Sequence, residues 1–324
     1  MKRALICGVS GQDGSYLARL LISKGYEVFG SSRDAQMEGF NNLRALGIKD
    51  EMSLLSIATT DFRNVLQAIS QVAPDEIYNL AGQSSVAMSF EQPLQTMESI
   101  GISTLNFLEA IRFTGAKTKF YNAGSSECFG AAAAQPCDEG TPFRPRSPYA
   151  VAKAAAFWSV ANYREAYGLH ACTGILFNHE SPLRPERFVT RKIISTAARI
   201  ASGSEEKLHL GNLSISRDWG WAPEYVEAMW MMMQLDDAQD LVIATGHTCT
   251  LEEFVSAAFA SVGLCWRDHV VTDEKLFRPT DLTESRANPA MAHKLLGWRA
   301  KSAMLDVVHR MMEAELDRPG TINH

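Results

Sequence analysis

Tyr149 and Lys153 stand four residues apart in S-P-Y-A-V-A-K, a spacing that puts both on one face of a helix. Ser147 suits the N-cap of that helix and Pro148 its first position. A free phenol has a pKa near ~10, too high for a base at neutral pH; a neighbouring ammonium favours the phenolate. Such pairs also arise by chance on helix surfaces, so the context has to carry the reading. Upstream, Gly124-Ser125-Ser126-Glu127-Cys128-Phe129-Gly130 follows the β-rich run T-K-F-Y-N. A Ser125 hydroxyl there can hydrogen-bond the same substrate oxygen that Tyr149 deprotonates. Glu127 is the more telling residue. Moving a hydride needs no carboxylate, whereas taking a proton from carbon beside a newly formed carbonyl does. The bland alternative is a glutamate bonded to its own loop backbone.

Gly8-Val9-Ser10-Gly11-Gln12-Asp13-Gly14 has the spacing G-x-x-G-x-x-G after the first β-rich run. A glycine triplet alone is a weak signal. Placed between a strand and the start of a helix, it lets a pyrophosphate approach the free N–H groups of the helix N-terminus. The second strand ends in Ser31-Ser32-Arg33 rather than in a carboxylate. Hydroxyls and a guanidinium suit a ribose 2′-phosphate, which favours NADP over NAD. Arg33 read as a solvated loop charge next to Asp34 is the competing view. With NADP bound, the oxidised nicotinamide would help Lys153 favour the Tyr149 phenolate.

The elements that must position these groups alternate. Strands are predicted at 3–7, 26–30, 75–80, 118–122 and 171–176, and helices at 14–24, 62–71, 95–114 and 148–167. That alternation implies an α/β fold, a Rossmann-type doubly wound parallel sheet. The NADP-binding domain is expected over 1–178, and 179–324 as a smaller α/β cap that binds substrate, with some chain returning to the first domain. Two helices are predicted in the cap, at about 223–234 and 251–262. Trp230-Met231-Met232-Met233 reads as helix core, and 131–134 as a loop. A formal net charge of -6 with no Lys/Arg run argues against nucleic acid or a membrane surface as partner. No apolar run is long enough to span a membrane. The six cysteines lie far apart with no C-x-x-C pair, which reads as reduced core residues and a cytoplasmic home. The eight histidines lack metal-ligand spacing, so no metal is expected.

The glycine turn and the Ser-Tyr-Lys set resemble the extended short-chain dehydrogenase/reductases. Over nearly the whole length the chain is similar to the GDP-mannose 4,6-dehydratases. The stretches that carry this are G-V-S-G-Q-D-G-S-Y-L-A, Y-N-L-A-G-Q-S-S-V, S-F-E-Q-P, S-P-Y-A-V-A-K, I-L-F-N-H-E-S-P-L-R, F-V-T-R-K, R-D-W-G and F-R-P. The resemblance implies an internal redox dehydratase in which Tyr149, Lys153, Ser125, Ser126 and Glu127 are catalytic. It implies NADP contacts from Gly8, Ser10, Gly11, Gln12, Asp13 and Gly14 in the turn, and from Ser32 and Arg33 after the second strand. Leu80, Ala81 and Gln83 would follow after the strand Y-N-L, with Tyr149, Lys153, His179 and Arg184 closing the cofactor site. Ser84, Ser85 and Glu127 would face the sugar and Asn178 the diphosphate, with Val189, Lys192, Arg217 and Arg278 contacting the GDP part. A homo-oligomer, dimer or tetramer, is implied as well.

Departures are visible too. Ser125 stands where family members carry Thr, and Arg33 stands alone where many have two arginines. Ala58 occupies a position that is acidic in relatives, and Ser85 replaces His or Phe near the sugar. A GDP-heptose substrate, an NADPH-dependent reductase acting on a GDP-4-keto-6-deoxy sugar, and a non-catalytic NADP sensor are the rival readings. The last fits poorly with an intact Tyr–Lys pair.

Overall fold

The computed structural model describes residues 1–131, 135–277, 280 and 282–317. Its strands are β1 Arg3–Cys7, β2 Glu27–Ser32, β3 Ser53–Ser56, β4 Glu76–Asn79, β5 Lys119–Ala123, β6 Ala171–Leu176, β7 Asn178–Glu180, β8 Leu208–Leu210, β9 Ser216–Trp221, β10 Leu241–Ile243, β11 Thr248–Thr250 and β12 Val270–Thr272. The helices are α1 Gln12–Ser23, α2 Asn41–Ala45, α3 Phe62–Val72, α4 Val86–Glu91, α5 Pro93–Met97, α6 Ser103–Thr114, α7 Pro148–Tyr167, α8 Val189–Ala201, α9 Ala222–Gln234, α10 Leu251–Ala260, α11 Ala290–Leu296 and α12 Met304–Leu316.

Seven parallel strands form the main sheet in the order β10-β6-β5-β4-β1-β2-β3. One face is covered by α1, α2 and α9 through a core that includes Leu17, Leu21, Leu43, Tyr225 and Met229. The other face is covered by α3, α6 and α7, with Val65, Ile69, Phe107, Ile111 and Val160 buried against it. This is the expected Rossmann-type sheet, wound in both directions from β1. The direction reverses between β1 and β4, and ligands of open parallel sheets bind where the carboxyl ends of the strands meet such a reversal. A separate core, built from Ile193, Ile194, Trp219, Phe254, Val307 and Met311, joins α8, β9, α10 and α12.

Several elements differ from the sequence expectation. The helix expected over 95–114 is three pieces, α5, a π-helical turn Glu98–Ile102 and α6. Besides the two helices expected after residue 178, α8, α11 and α12 are present. Strands β3 and β10 carry no readable alternation because they are four and three residues long. β10 is nevertheless part of the main sheet, because parallel pairing with β6 satisfies its backbone. Met232 and Met233 are buried and Trp230 is partly so, in line with a helix core. Cys7, Cys128, Cys137 and Cys172 are buried, while Cys265 is exposed because it ends the loop after α10. Of the expected 131–134 loop, residues 132–134 lie outside the described residues.

Candidate active site

Each glycine of the turn after β1 has its own physical reason. Gly8 adopts φ +84°, and a Cβ there would lie 2.9 Å from the Leu80 carbonyl oxygen. A Cβ on Gly14 would run into the Gly8 carbonyl, so α1 could not start this close to β1. Gly11 is the exposed N-cap of α1, and no side chain caps that helix. Its first N–H groups are thus left for an anion. The loop is held from beneath, where Asn42 Nδ2 donates to the Ser10 carbonyl at 3.0 Å.

Gln12 and Asp13 tie this turn to the chain after β6. Gln12 Nε2 donates to the His179 carbonyl at 3.1 Å, and Ser181 Oγ donates to Gln12 Oε1 at 2.8 Å. His179 Nε2 meets Asp13 Oδ2 at 3.0 Å, and its ring stacks on Tyr225 with centroids 4.6 Å apart. Burial works against the Asp13 carboxylate, but the His179 charge and hydrogen bond, Gln12 and Arg184 outweigh it and hold the acid down to about 2. Burial likewise disfavours the His179 cation, yet Asp13 and the Phe177 carbonyl win, and its pKa is raised. Glu180 accepts from Thr190 Oγ1 at 2.7 Å and pairs with Arg184 at 3.2 Å. The run N-H-E-S-P is therefore the knot that joins α8 to the glycine turn.

At the end of β2, the Ser32 hydroxyl is buried without a hydrogen-bond partner. Arg33 beside it is exposed and makes no ion pair among the described residues. Asp34 is engaged with its own loop, accepting from the Gln36 and Met37 N–H groups at 3.0 and 3.2 Å. Leu80 and Ala81 follow β4 and press against Gly8.

The catalytic candidates converge where β5 ends. Ser147 caps α7 by accepting from Ala150 N, Pro148 occupies its first turn, and Tyr149 and Lys153 are both buried. The Ser125 side chain lies by the Tyr149 phenol and favours its ionised form, and Glu127 is close enough to act on it through its charge. Ser126 is buried in the same short turn, and Ser125 Oγ accepts the Glu127 N–H at 3.3 Å. Lys153 Nζ donates to the Ala123 carbonyl at 2.7 Å and lies 5.8 Å from the Tyr149 ring centroid. Burial pulls this ammonium down to about 8. It also pushes the Tyr149 phenol up, and the Ser125 side chain and the Arg184 charge oppose it only in part. Burial outweighs whatever favours the phenolate in the protein by itself, and the Lys153 ammonium donates to a backbone carbonyl rather than to the phenol.

A family model described as GDP-mannose 4,6 dehydratase matches residues 5–311. The chain belongs to this family. GDP-mannose 4,6 dehydratase 1 of Arabidopsis thaliana is 46% identical over 328 residues, covering 98% of this chain and 90% of the relative. The GDP-mannose 4,6-dehydratase of Sinorhizobium fredii is 46% identical, with 97% of each chain covered. Among solved structures, a dTDP-glucose 4,6-dehydratase from Streptomyces venezuelae with NAD bound superposes with a TM-score of 0.85 at 20% identity, over 96% of each chain. That likeness shows the shared fold.

On the family's substrate side, the two adjacent cations of F-V-T-R-K go opposite ways. Arg191 is buried in an ion pair with Glu315, which docks α12 on α8. Lys192 reaches the cleft beside β8, its Nζ donating to the His209 carbonyl at 2.7 Å, and Val189 opens the same helix. Asn178 lies on β7, partly exposed. Arg217 is buried on β9 and donates to the Ser216 and Leu282 carbonyls at 3.0 and 2.8 Å. Arg278 lies outside the described residues. Ser84 is exposed, and Ser85 caps α4 by accepting from Met88 N.

Two supporting groups were not singled out from sequence. Asp218, next to Arg217, accepts from Thr245 N, Thr245 Oγ1 and Gly246 N at 3.0, 2.9 and 2.7 Å, fixing the loop after β10. Burial nonetheless raises its pKa to about 6. Beneath the strand ends, Thr104 Oγ1 bridges Asn79 Nδ2 at 3.2 Å and Asn122 Oδ1 at 3.4 Å inside the core. The signal available was a polar residue within an apolar strand, which cannot name its partner. Among the described residues no group of three or more His, Cys, Asp or Glu could hold a metal ion, and no helix is long and apolar enough to cross a membrane.

Proposed function

We propose that this protein is a GDP-mannose 4,6-dehydratase, converting GDP-D-mannose to GDP-4-dehydro-6-deoxy-D-mannose around a resident NADP. The observation that carries the reading is the meeting of Tyr149, Ser125 and Glu127 at the end of β5, in a chain of this family. The residues present fit a dinucleotide. Gly8 and Gly14 let the turn, the start of α1 and the chain after β4 pack closer than any Cβ would allow, and the Ser32 hydroxyl is buried and unpartnered beside exposed Arg33. The helix N-terminus at Gly11 would hold the pyrophosphate, and Ser32 with Arg33 the 2′-phosphate. Bound there, the nicotinamide supplies a reversible two-electron acceptor at the sugar and a positive charge that, like Ser125 and Arg184, favours the Tyr149 phenolate.

Tyr149 takes the proton of the C4 hydroxyl as that carbon is oxidised, with Ser125 holding the same oxygen. Lys153, through its charge, assists the phenolate. The 4-ketone acidifies C5–H, and Glu127 takes that proton. The C6 hydroxyl leaves as water on that proton from Glu127, aided by Ser126, and reduction at C6 with a solvent proton taken up at C5 and the Tyr149 proton released completes the cycle. The cations Lys192, Arg217 and Arg278 would bind the diphosphate, which demands positive charge.

Turnover of GDP-mannose should proceed without added NADPH and with no net absorbance change at the reduced-nicotinamide band. Deuterium placed at C4 should reappear at C6 of the product. Label released into the cofactor pool would instead overturn the internal redox reading.

A homo-oligomer is part of the same reading. Val151, Ala155 and Trp158 form an i, i+4, i+7 exposed stripe along α7, with Trp158 61% exposed, and Phe113 is 71% exposed on α6 packed beside it. A stripe of this kind marks a protein interface, and a second copy brings the same stripe. Trp158→Glu should reduce the mass measured by light scattering to that of one chain; an unchanged mass places the interface elsewhere. The absence of a disulfide among the described residues fits a reducing, cytoplasmic compartment, which fractionation checks.

A further inference from the structure

Between β4 and α4 the chain passes through Gly82-Gln83-Ser84-Ser85, directly against the π-helical turn that separates α5 from α6. Gly82 takes φ +127°, and a Cβ there would lie 3.0 Å from the Ile100 side chain and 3.1 Å from the Ser99 carbonyl. Gln83 is tied at three places. Its N–H donates to Ser99 Oγ at 3.3 Å. Its side-chain Nε2 donates to the Ser85 carbonyl at 2.8 Å and to Thr96 Oγ1 at 3.3 Å. Its Oε1 accepts the Ser85 N–H. Both amide hydrogens are used, and both peptide groups of Ser85 are held by one carboxamide.

The other side of the π turn reaches the catalytic helix. Ile100 is buried together with Tyr149, Ala152 and Ala156, and Val86 and Met97 pack on this group. The Ile100 carbonyl is in turn held by Thr104 Oγ1 at 2.8 Å. One compact unit therefore carries Ser84 and Ser85 at one end and the Tyr149 ring at the other. A π turn opens the helical ladder by one residue and recurs at functional sites.

We infer that Gln83 is a positioning residue: its carboxamide, braced on Thr96 and the π turn, fixes the Ser84–Ser85 turn relative to the Tyr149 phenol and so fixes how the sugar meets the base. This rests on the dehydratase reading, in which Ser84 and Ser85 face the sugar. It assigns Gln83 away from the cofactor, because its two donors are committed within the loop.

The test uses the full-length protein with bound NADP. In Gln83→Ala, hydrogen exchange of the Ser85 amide should accelerate while the melting temperature stays that of the wild type. Calorimetric affinities for NADP and for GDP should be unchanged, whereas GDP-mannose should lose its advantage over GDP. Misplacement of the reacting carbon should lower kcat by about 10- to 100-fold. Gln83→Glu, which still accepts from the Ser85 N–H, should recover part of kcat, and Thr96→Val should reproduce part of the loss. Weakened NADP binding with an unaltered preference for GDP-mannose over GDP would overturn the proposal, as would unchanged Ser85 exchange. Should wild-type protein neither bind nor turn over GDP-mannose, the dehydratase reading falls, and the Ser85 exchange rate still decides whether the brace exists.

Discussion

Glu127→Gln should oxidise a bound sugar nucleotide once and then stop. Glutamine keeps the size and the hydrogen-bonding capacity of the side chain but cannot accept the C5 proton. Tyr149, Ser125 and Lys153 are untouched in this variant, so oxidation at C4 remains available to it. A single-turnover rise in reduced-nicotinamide absorbance should follow, with a 4-keto hexose trapped on the protein. Tyr149→Phe should behave in the opposite way. It keeps the ring that packs on Ile100 and Ala152, but removes the hydroxyl that meets Ser125. Oxidation itself should fail, and no absorbance should appear. Proton transfer by a positioned group contributes about 10²–10⁴-fold, so both variants should lose overall turnover on that order. The pattern of absorbance, not the size of the loss, separates the two roles. Exchange of C5–H with solvent deuterium at the wild-type rate in Glu127→Gln would show that another group is the C5 base.

Arg33→Ala should cost NADP far more affinity than NAD. Ser32 offers a buried hydroxyl with no partner, and Arg33 is the exposed cation next to it. Asp34, the only carboxylate adjacent in sequence, is occupied by the Gln36 and Met37 N–H groups and does not neutralise that cation directly. A charge-assisted hydrogen bond to phosphate is worth roughly 1.5–3 kcal/mol, or about 10- to 150-fold in Kd. NAD lacks the 2′-phosphate and should lose little. Titrating both dinucleotides into wild type and variant checks this, and an equal loss for the two would remove the basis for choosing NADP.

The sequence by itself determined what local chemistry decides. The helix carrying Tyr149 runs over Pro148–Tyr167 as read, starting at the Ser147 cap and Pro148, because caps act within one turn. β6 runs over Ala171–Leu176 as read, because its apolar run is long enough to show. The glycine turn was legible because its spacing encodes a steric demand between neighbours close in sequence. Tertiary structure alone decided the partners. Arg191 and Lys192 are adjacent cations, yet one is buried against Glu315 on a distant helix and the other reaches a cleft. Lys153 was read as a neighbour of the phenol, and only the fold adds that its ammonium donates to the Ala123 carbonyl on β5. Gln83 is implied as a cofactor contact by the resemblance, and its bond to Thr96 exists only once the π turn is brought against it. β10 has three residues and no pattern, and becomes a strand only because β6 offers a free edge. In each case a side chain or strand finds its partner far along the chain, and the burial that sets its hydrogen bonds and proton affinity exists only once the sheet and its covering helices have formed.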